Sequence, residues 1–141
     1  MDTLFFVLKF INTFIFVVIA CFHFYWAFGG KFGGTSVIPS IKDKALFSPS
    51  PIATITVAIA MLLASFFSWM PLLTNNATVL VYGNLGIAIV FCLRAIGDFN
   101  YVGFFKQVKG TLFAKNDTYF FSPLCLLIAG IAFSIYLIIK P

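Results

Sequence analysis

The chain has 141 residues, room for one domain and no more. Hydrophobic residues make up 62% and charged residues 9%, against about 45–50% and about 25% in an average soluble domain, so a water-soluble globule is excluded. Nine Lys and Arg against four acidic residues, all Asp, give a formal charge of +5. The cations are spread singly and form no basic stripe, which excludes a nucleic-acid surface and fits a membrane protein with cationic loops.

Crossing a bilayer core of about 30 Å takes about 20 apolar residues. Four stretches meet or approach that length: residues 4–28, broken by Lys9, Asn12 and His23; 52–73; 77–97, which holds Asn84 and Arg94; and 123–139. Together they predict an all-α, single-domain bundle of four transmembrane helices. The first stretch is longer than a leader's apolar region, and no Lys or Arg precedes Lys9, so it is read as a span. Val18-Ile19-Ala20-Cys21 resembles a lipidation site, but the aromatic run Phe22–Trp26 that follows is not the small polar linker such sites carry. Pro123 suits the first turn of a helix, where its missing N–H costs nothing.

Four spans put both termini on one side and the two long connections on the other. Lys31, Lys42, Lys44, Arg94, Lys106, Lys109 and Lys115 fall on or beside the loop side, Lys9 and Lys140 beside the termini. That asymmetry predicts cytoplasmic loops, external termini and a multi-pass protein of the inner (plasma) membrane. Thr74-Asn75-Asn76 predicts a tight turn that makes an antiparallel hairpin of spans two and three. Small residues predict the packing seams: Ala60, Ala64 and Ser68; Gly83 and Gly86; Gly130 and Ser134. Trp69 and Tyr82 at one interface, and Tyr25, Trp26, Tyr101 and Tyr119 at the other, predict aromatic belts. No internal repeat of the inverted-repeat transporter kind is visible.

Polar groups inside a membrane are costly, so each is a candidate site residue. Asn12 and His23 are eleven residues, or three turns, apart and share a helix face with Phe16 and Ala20. Asn84 faces the same way as Phe91 and Ala95. His23, Arg94 and Asp98 fall at one depth near the loop end, where Asp98 is the i+4 partner of Arg94 if the helix continues that far. With Trp26 beside them, and Tyr101, Lys106 and Asp117 closing from the following loop, they outline a ligand pocket of His23, Trp26, Arg94, Asp98, Tyr101, Lys106 and Asp117. A competing reading has Arg94 snorkelling to lipid phosphate with Asp98 as a shallow partner, and His23 capping a carbonyl.

Other chemistry finds little support. Cys21, Cys92 and Cys125 read as free thiols packed as small buried hydrophobes. Cys21 and His23, about 200° apart on a helix, do not share a zinc site. A single His cannot ligate haem on both faces. The Asp residues form no magnesium pair, Gly29–Gly34 lacks the ending of a phosphate loop, and no nucleophile elbow occurs. No metal or cofactor is expected.

His23–Gly30 followed by Pro39 resembles the opening signature of an uncharacterised family of small bacterial four-span membrane proteins, a domain of unknown function. Arg94-Ala95-Ile96-Gly97-Asp98-Phe99-Asn100-Tyr101-Val102-Gly103-Phe104-Phe105-Lys106, then Phe113-Ala114, Asp117-Thr118-Tyr119 and Ser122-Pro123-Leu124-Cys125, carry the resemblance further. It implies four helices in a bacterial inner membrane and no particular activity. Four functions remain open. The leading one is a binding protein whose loop-end pocket holds a lipid headgroup, a quinone or another small amphiphile. The others are an enzyme with His23 as acid or base, a small transporter made by homo-oligomerisation, and an accessory subunit docked to a membrane protein partner through its Phe-rich loop.

Overall fold

A computed structural model describes residues 2–42, 44–69 and 77–140. Helix α1 runs Asp2–Ala27, and a short helix α2 spans Gly34–Val37. A two-residue antiparallel ribbon follows, β1 (Ser40–Ile41) with β2 (Lys44–Ala45), pairing Ser40 with Ala45 and Ile41 with Lys44. Helices α3 (Pro51–Trp69) and α4 (Ala77–Ile96) come next, then α5 (Leu112–Asn116), a π-turn over Asp117–Phe121, and α6 (Ser122–Ile139). The chain is therefore mostly helical, and the ribbon is a loop ornament that the sequence reading did not include. The tight turn expected at residues 74–76, and the last residues of the second span, lie outside the described residues.

Among the described residues three helical stretches are long and apolar enough to cross a membrane: Thr3–Ala27, Pro51–Trp69 and Leu112–Ile139. Val81–Ile96 is a shorter apolar helix. The third stretch begins eleven residues before the expected start at Pro123, because α5, the π-turn and α6 form one continuous rod. Pro123 stands in the first turn of α6, as expected, and at the same time inside the longer rod. A proline there collides with the carbonyl four residues back and removes a hydrogen bond. Just before it the backbone widens, and the Ser122 N–H donates to the Asp117 carbonyl five residues back. This i to i−5 spacing defines a π-turn, a bulge that recurs at functional sites.

The helices form a square. α1 packs along α3 and α4 packs along α6, and the two pairs join mainly through α1 and α6. The α3–α4 side is thinner than the expected hairpin, although Phe67 does lie against Gly83, where an added Cβ would come within 3.0 Å of its ring. At the centre Phe16 is fully buried with Ala64 and Ile128, and Ile15, Ile19, Met61, Ile87, Phe91 and Leu124 pack around them. The Phe16 and Phe91 rings meet across the diagonal, 5.6 Å between centroids.

The seams follow the heptad-like steps that tight helix pairs use. α4 buries Val81, Asn84, Ala88 and Ala95, as expected of the Asn84 face. α3 buries Ala58, Ala64, Ser65 and Ser68, while Ala60 is exposed. On α6 the buried line is Ile128, Ala129, Ile131, Ala132 and Ile135, and Gly130 faces outward. Steps of four through Ala60 and Gly130 drift off the interface because a straight helix turns every 3.6 residues. Cys21 and Cys92 are also exposed and Cys125 is half-buried, which corrects the expectation of three buried thiols. On a lipid-facing surface a thiol behaves as a small apolar group, so nothing drives it inward.

Lipid solvates an exposed Phe as well as a neighbouring helix does, so only interior rings hold the square together. Phe16→Ala should cost about 2–3 kcal/mol through the cavity it leaves, whereas Phe14→Ala, at an exposed position of the same helix, should cost less than about 0.5 kcal/mol. Unfolding in mixed micelles measures both.

Candidate functional site

At the loop end the chain leaves α4 abruptly. The Gly97 N–H still donates to the Leu93 carbonyl, at 2.8 Å, but Gly97 has φ +89 and the helix stops. Gly103, at φ +90, returns beside it so closely that a Cβ on Gly97 would drive into the Val102 carbonyl, and one on Gly103 into the Ile96 carbonyl. Only glycine fits either position. Phe104 N–H then donates to the Ala95 carbonyl at 2.9 Å, satisfying an acceptor the helix end leaves open.

This sharp stop changes the partner of Arg94. Asp98 is not carried round to it by a further helical turn. Instead the Asp98 Oδ1 accepts three backbone N–H groups, from Asn100 at 2.9 Å, Tyr101 at 2.7 Å and Val102 at 2.9 Å. The expected Arg94–Asp98 ion pair is replaced by Arg94–Asp117, Nη2 to Oδ1, 2.9 Å.

Asp117 is fully buried. Its Oδ2 accepts from the Gly103 N–H at 2.7 Å and from Lys106 Nζ at 3.0 Å. Lys106, only 2% exposed, also donates to the Gly103 carbonyl at 2.8 Å and to Thr118 Oγ1 at 2.6 Å. Three N–H bonds fill the ammonium's donor capacity. One carboxylate thus fastens α4, the 97–111 loop and the start of the long helical rod to each other. Thr111 accepts from the Ala114 N–H through Oγ1 at 3.1 Å, capping α5 and fixing where Asp117 falls.

Arg94 is the unfinished member. Its Nη2 holds Asp117 while Nη1 is buried with no hydrogen-bond partner among the described residues, although the side chain as a whole is 34% exposed. The cluster therefore sets two cations against one carboxylate.

His23 and Trp26 work elsewhere. His23 Nδ1 lies 2.8 Å from the Ile19 carbonyl, an acceptor, so this nitrogen carries the proton. The ring also meets Trp26 edge-on, 5.4 Å between centroids. Trp26 Nε1 donates to the Phe32 carbonyl at 2.8 Å, and the Phe32 N–H donates to the Tyr25 hydroxyl at 3.3 Å. Gly30 lies where a Cβ would meet the Tyr25 ring. These contacts hold the exit of α1, and those of Arg94, Lys106 and Asp117 hold the exit of α4. The two exits meet where α2 packs on α5 and Asn116 Nδ2 donates to the Ser36 carbonyl at 3.5 Å.

Of the seven residues named from the sequence, the structure joins Arg94, Lys106 and Asp117 in one cluster and His23 with Trp26 in another. Asp98 caps its own turn, and Tyr101 contributes a backbone N–H to it. Thr118, Thr111 and the Gly97–Gly103 contact escaped the sequence reading. A threonine immediately before a helical run, and paired glycines around a capping Asp, are the signals that could have found the last two.

Over residues 16–133 the chain matches the family model described as "Protein of unknown function (DUF3995)", and the chain belongs to that family. No curated protein and no solved structure matches it.

The Asp98 turn has a pH signature. Slight burial pushes the carboxyl up, but the backbone N–H groups of Val102, Tyr101 and Asn100 outweigh it and hold Asp98 below its ordinary value. A depressed carboxyl stabilises the fold above its unfolded value of about 3.9, and that contribution fades as pH falls through the lower folded value. The stability gap between the wild type and Asp98→Ala should be constant above about pH 5 and shrink only below about pH 4. Denaturation across pH checks this.

Proposed function

We propose that this member of the DUF3995 family is a four-span protein of the bacterial inner membrane that binds an anionic amphiphile, a phospholipid headgroup, at the loop end of its bundle. The single observation that carries the reading is the charge imbalance around Asp117. Two cations share one carboxylate, and a buried Arg94 Nη1 lacks an acceptor. A guanidinium already held on one edge presents its other nitrogen in a fixed direction, which suits a phosphate oxygen. The position of Arg94 in the last turn of α4 is compatible with a headgroup contact. The Lys distribution of the sequence supports cytoplasmic loops, hence the inner leaflet as the source of the lipid.

A second reading rests on a different observation. Phe99, Phe105 and Phe120 are 57%, 63% and 61% exposed at the same end. Aromatic rings there also suit a protein contact, as in an accessory subunit of a membrane complex.

Native mass spectrometry of protein released in mild detergent tests the first reading. Wild type should retain an anionic phospholipid, and Arg94→Gln should lose at least about nine-tenths of it, because a charge-assisted bond of about 1.5–3 kcal/mol is removed. Lys106 still neutralises Asp117 in that variant, so the protein should fold. Added inorganic phosphate that displaces the lipid would show that the phosphate group is what binds. A bare wild-type chain, or equal retention in Arg94→Gln, would reject the headgroup and leave the aromatic face as a protein contact.

A further inference from the structure

The opposite end of α1 carries a second polar group that the loop-end site does not use. Asn12 and Thr13 are the i+3 and i+4 neighbours of Lys9, flanking it on the surface of the helix. They precede the stretch matched by the family model. Lys9 and Asn12 are fully buried. Lys9 Nζ, Asn12 Oδ1 and Thr13 Oγ1 are all shut off from the surface and without a hydrogen-bond partner among the described residues. The ammonium stands 3.9 Å from the centre of the Phe5 ring. A ring face attracts a cation but accepts none of the three N–H bonds in the way an oxygen does. Among the described residues no ion pair reaches Lys9, and Asp98 and Asp117 belong to the far end of the bundle.

The orientation of Asn12 is settled by its neighbour. Ser68 Oγ donates to the Ala64 carbonyl at 3.1 Å, so it can only accept from Asn12, which presents Nδ2 at 3.3 Å. Oδ1 is thereby left as an open acceptor. The face thus offers a cation, a hydroxyl that donates or accepts, and a fixed acceptor. A halide, or a fully ionised carboxylate, would answer Lys9 and Thr13 but set a second acceptor against Asn12 Oδ1. Water would answer the hydrogen bonds but not the charge. An oxyanion that carries one negative charge and keeps one O–H answers all three. Its oxygens accept from Lys9 and Thr13, and its O–H donates to Asn12.

We propose that Lys9, Asn12 and Thr13 form an intramembrane binding site for a small protonated oxyanion of the hydrogencarbonate or dihydrogenphosphate class. This site is separate from the Arg94 cluster and does not depend on it.

Thermal unfolding of the full chain in mild detergent, at constant ionic strength and about pH 7, tests it with sodium hydrogencarbonate, phosphate, nitrate and chloride as probes. One of the two protonated oxyanions, or both, should raise Tm in a concentration-dependent way, and the larger response identifies the preferred anion. At ten times Kd the folded-to-unfolded ratio rises about elevenfold. Nitrate and chloride should do far less. Lys9→Met and Asn12→Leu should abolish the response, while Arg94→Gln should keep it, which separates this site from the headgroup site. Lys9→Met removes an uncompensated buried charge, so it should fold with an unchanged or higher Tm in the absence of anion; Lys9→Gln serves as a second neutral variant. No response in the wild type, an equal response to nitrate, or a response that survives in Lys9→Met would overturn the proposal. So would a response lost only in Arg94→Gln.

Discussion

A carboxylate sealed inside a membrane protein must be answered by positive charge and N–H donors or it will not stay ionised there. Asp117 is answered three ways, by Arg94, Lys106 and the Gly103 N–H, and Lys106 is itself held in place by the Thr118 hydroxyl, which accepts from it. These bonds join three parts of the chain. Arg94 ends α4, Gly103 and Lys106 lie on the loop, and Thr118 stands beside Asp117 in the π-turn. Taking away one member of a buried pair costs about 3–5 kcal/mol, because the group left behind remains charged and dry. The rest of the loop end depends on this one group. The glycine crossing at Gly97 and Gly103 brings the Gly103 N–H to Asp117, and the Pro123-associated π-turn follows directly from the same residue. Further from the site, α5 seats α2 and so couples the exit of α1 to the exit of α4.

Much of the helical scaffold was legible from hydropathy, since long apolar stretches in a chain this poor in charge admit few other structures. The inward face of α1 was legible too: Asn12, Phe16 and Ala20 are all buried, as their spacing implied. What failed was extrapolation through local rules. The i+4 rule gave Arg94 to Asp98, but it holds only while the helix lasts, and the helix lasts to Ile96. The true partner is 23 residues away in sequence, and no periodicity spans that distance. Small-residue counting chose Ala60 and Gly130, both on the outside, because in lipid an outward alanine or glycine carries little penalty. Pro123 does stand in the first turn of α6, as expected, but hydropathy did not reveal that α5 and the π-turn run into that helix without a break.

The structure brings Arg94, Lys106 and Asp117 together and wires them differently from the sequence expectation, with Asp117 in place of Asp98. These three residues act chiefly as a clasp, and Arg94 Nη1 is the group the proposed recognition uses. His23, the natural choice for acid–base work, commits Nδ1 to the carbonyl of Ile19 one turn back. That is the local capping role which competed with the pocket reading. The binding proposed at this end therefore rests on Arg94 rather than on His23.

Amide hydrogen exchange resolved by residue, comparing the wild type with Asp117→Asn, tests the clasp most directly. Asn keeps the shape and removes the charge. If Asp117 holds the loop end together, protection at Gly103, Gln107 and Val108 should fall by about a hundredfold or more, the equivalent of about 3 kcal/mol. Amides around Phe16 in α1 should stay protected. Unchanged protection across the loop, or a loss confined to the Gly103 amide alone, would contradict the account and reduce Asp117 to a local hydrogen-bond acceptor.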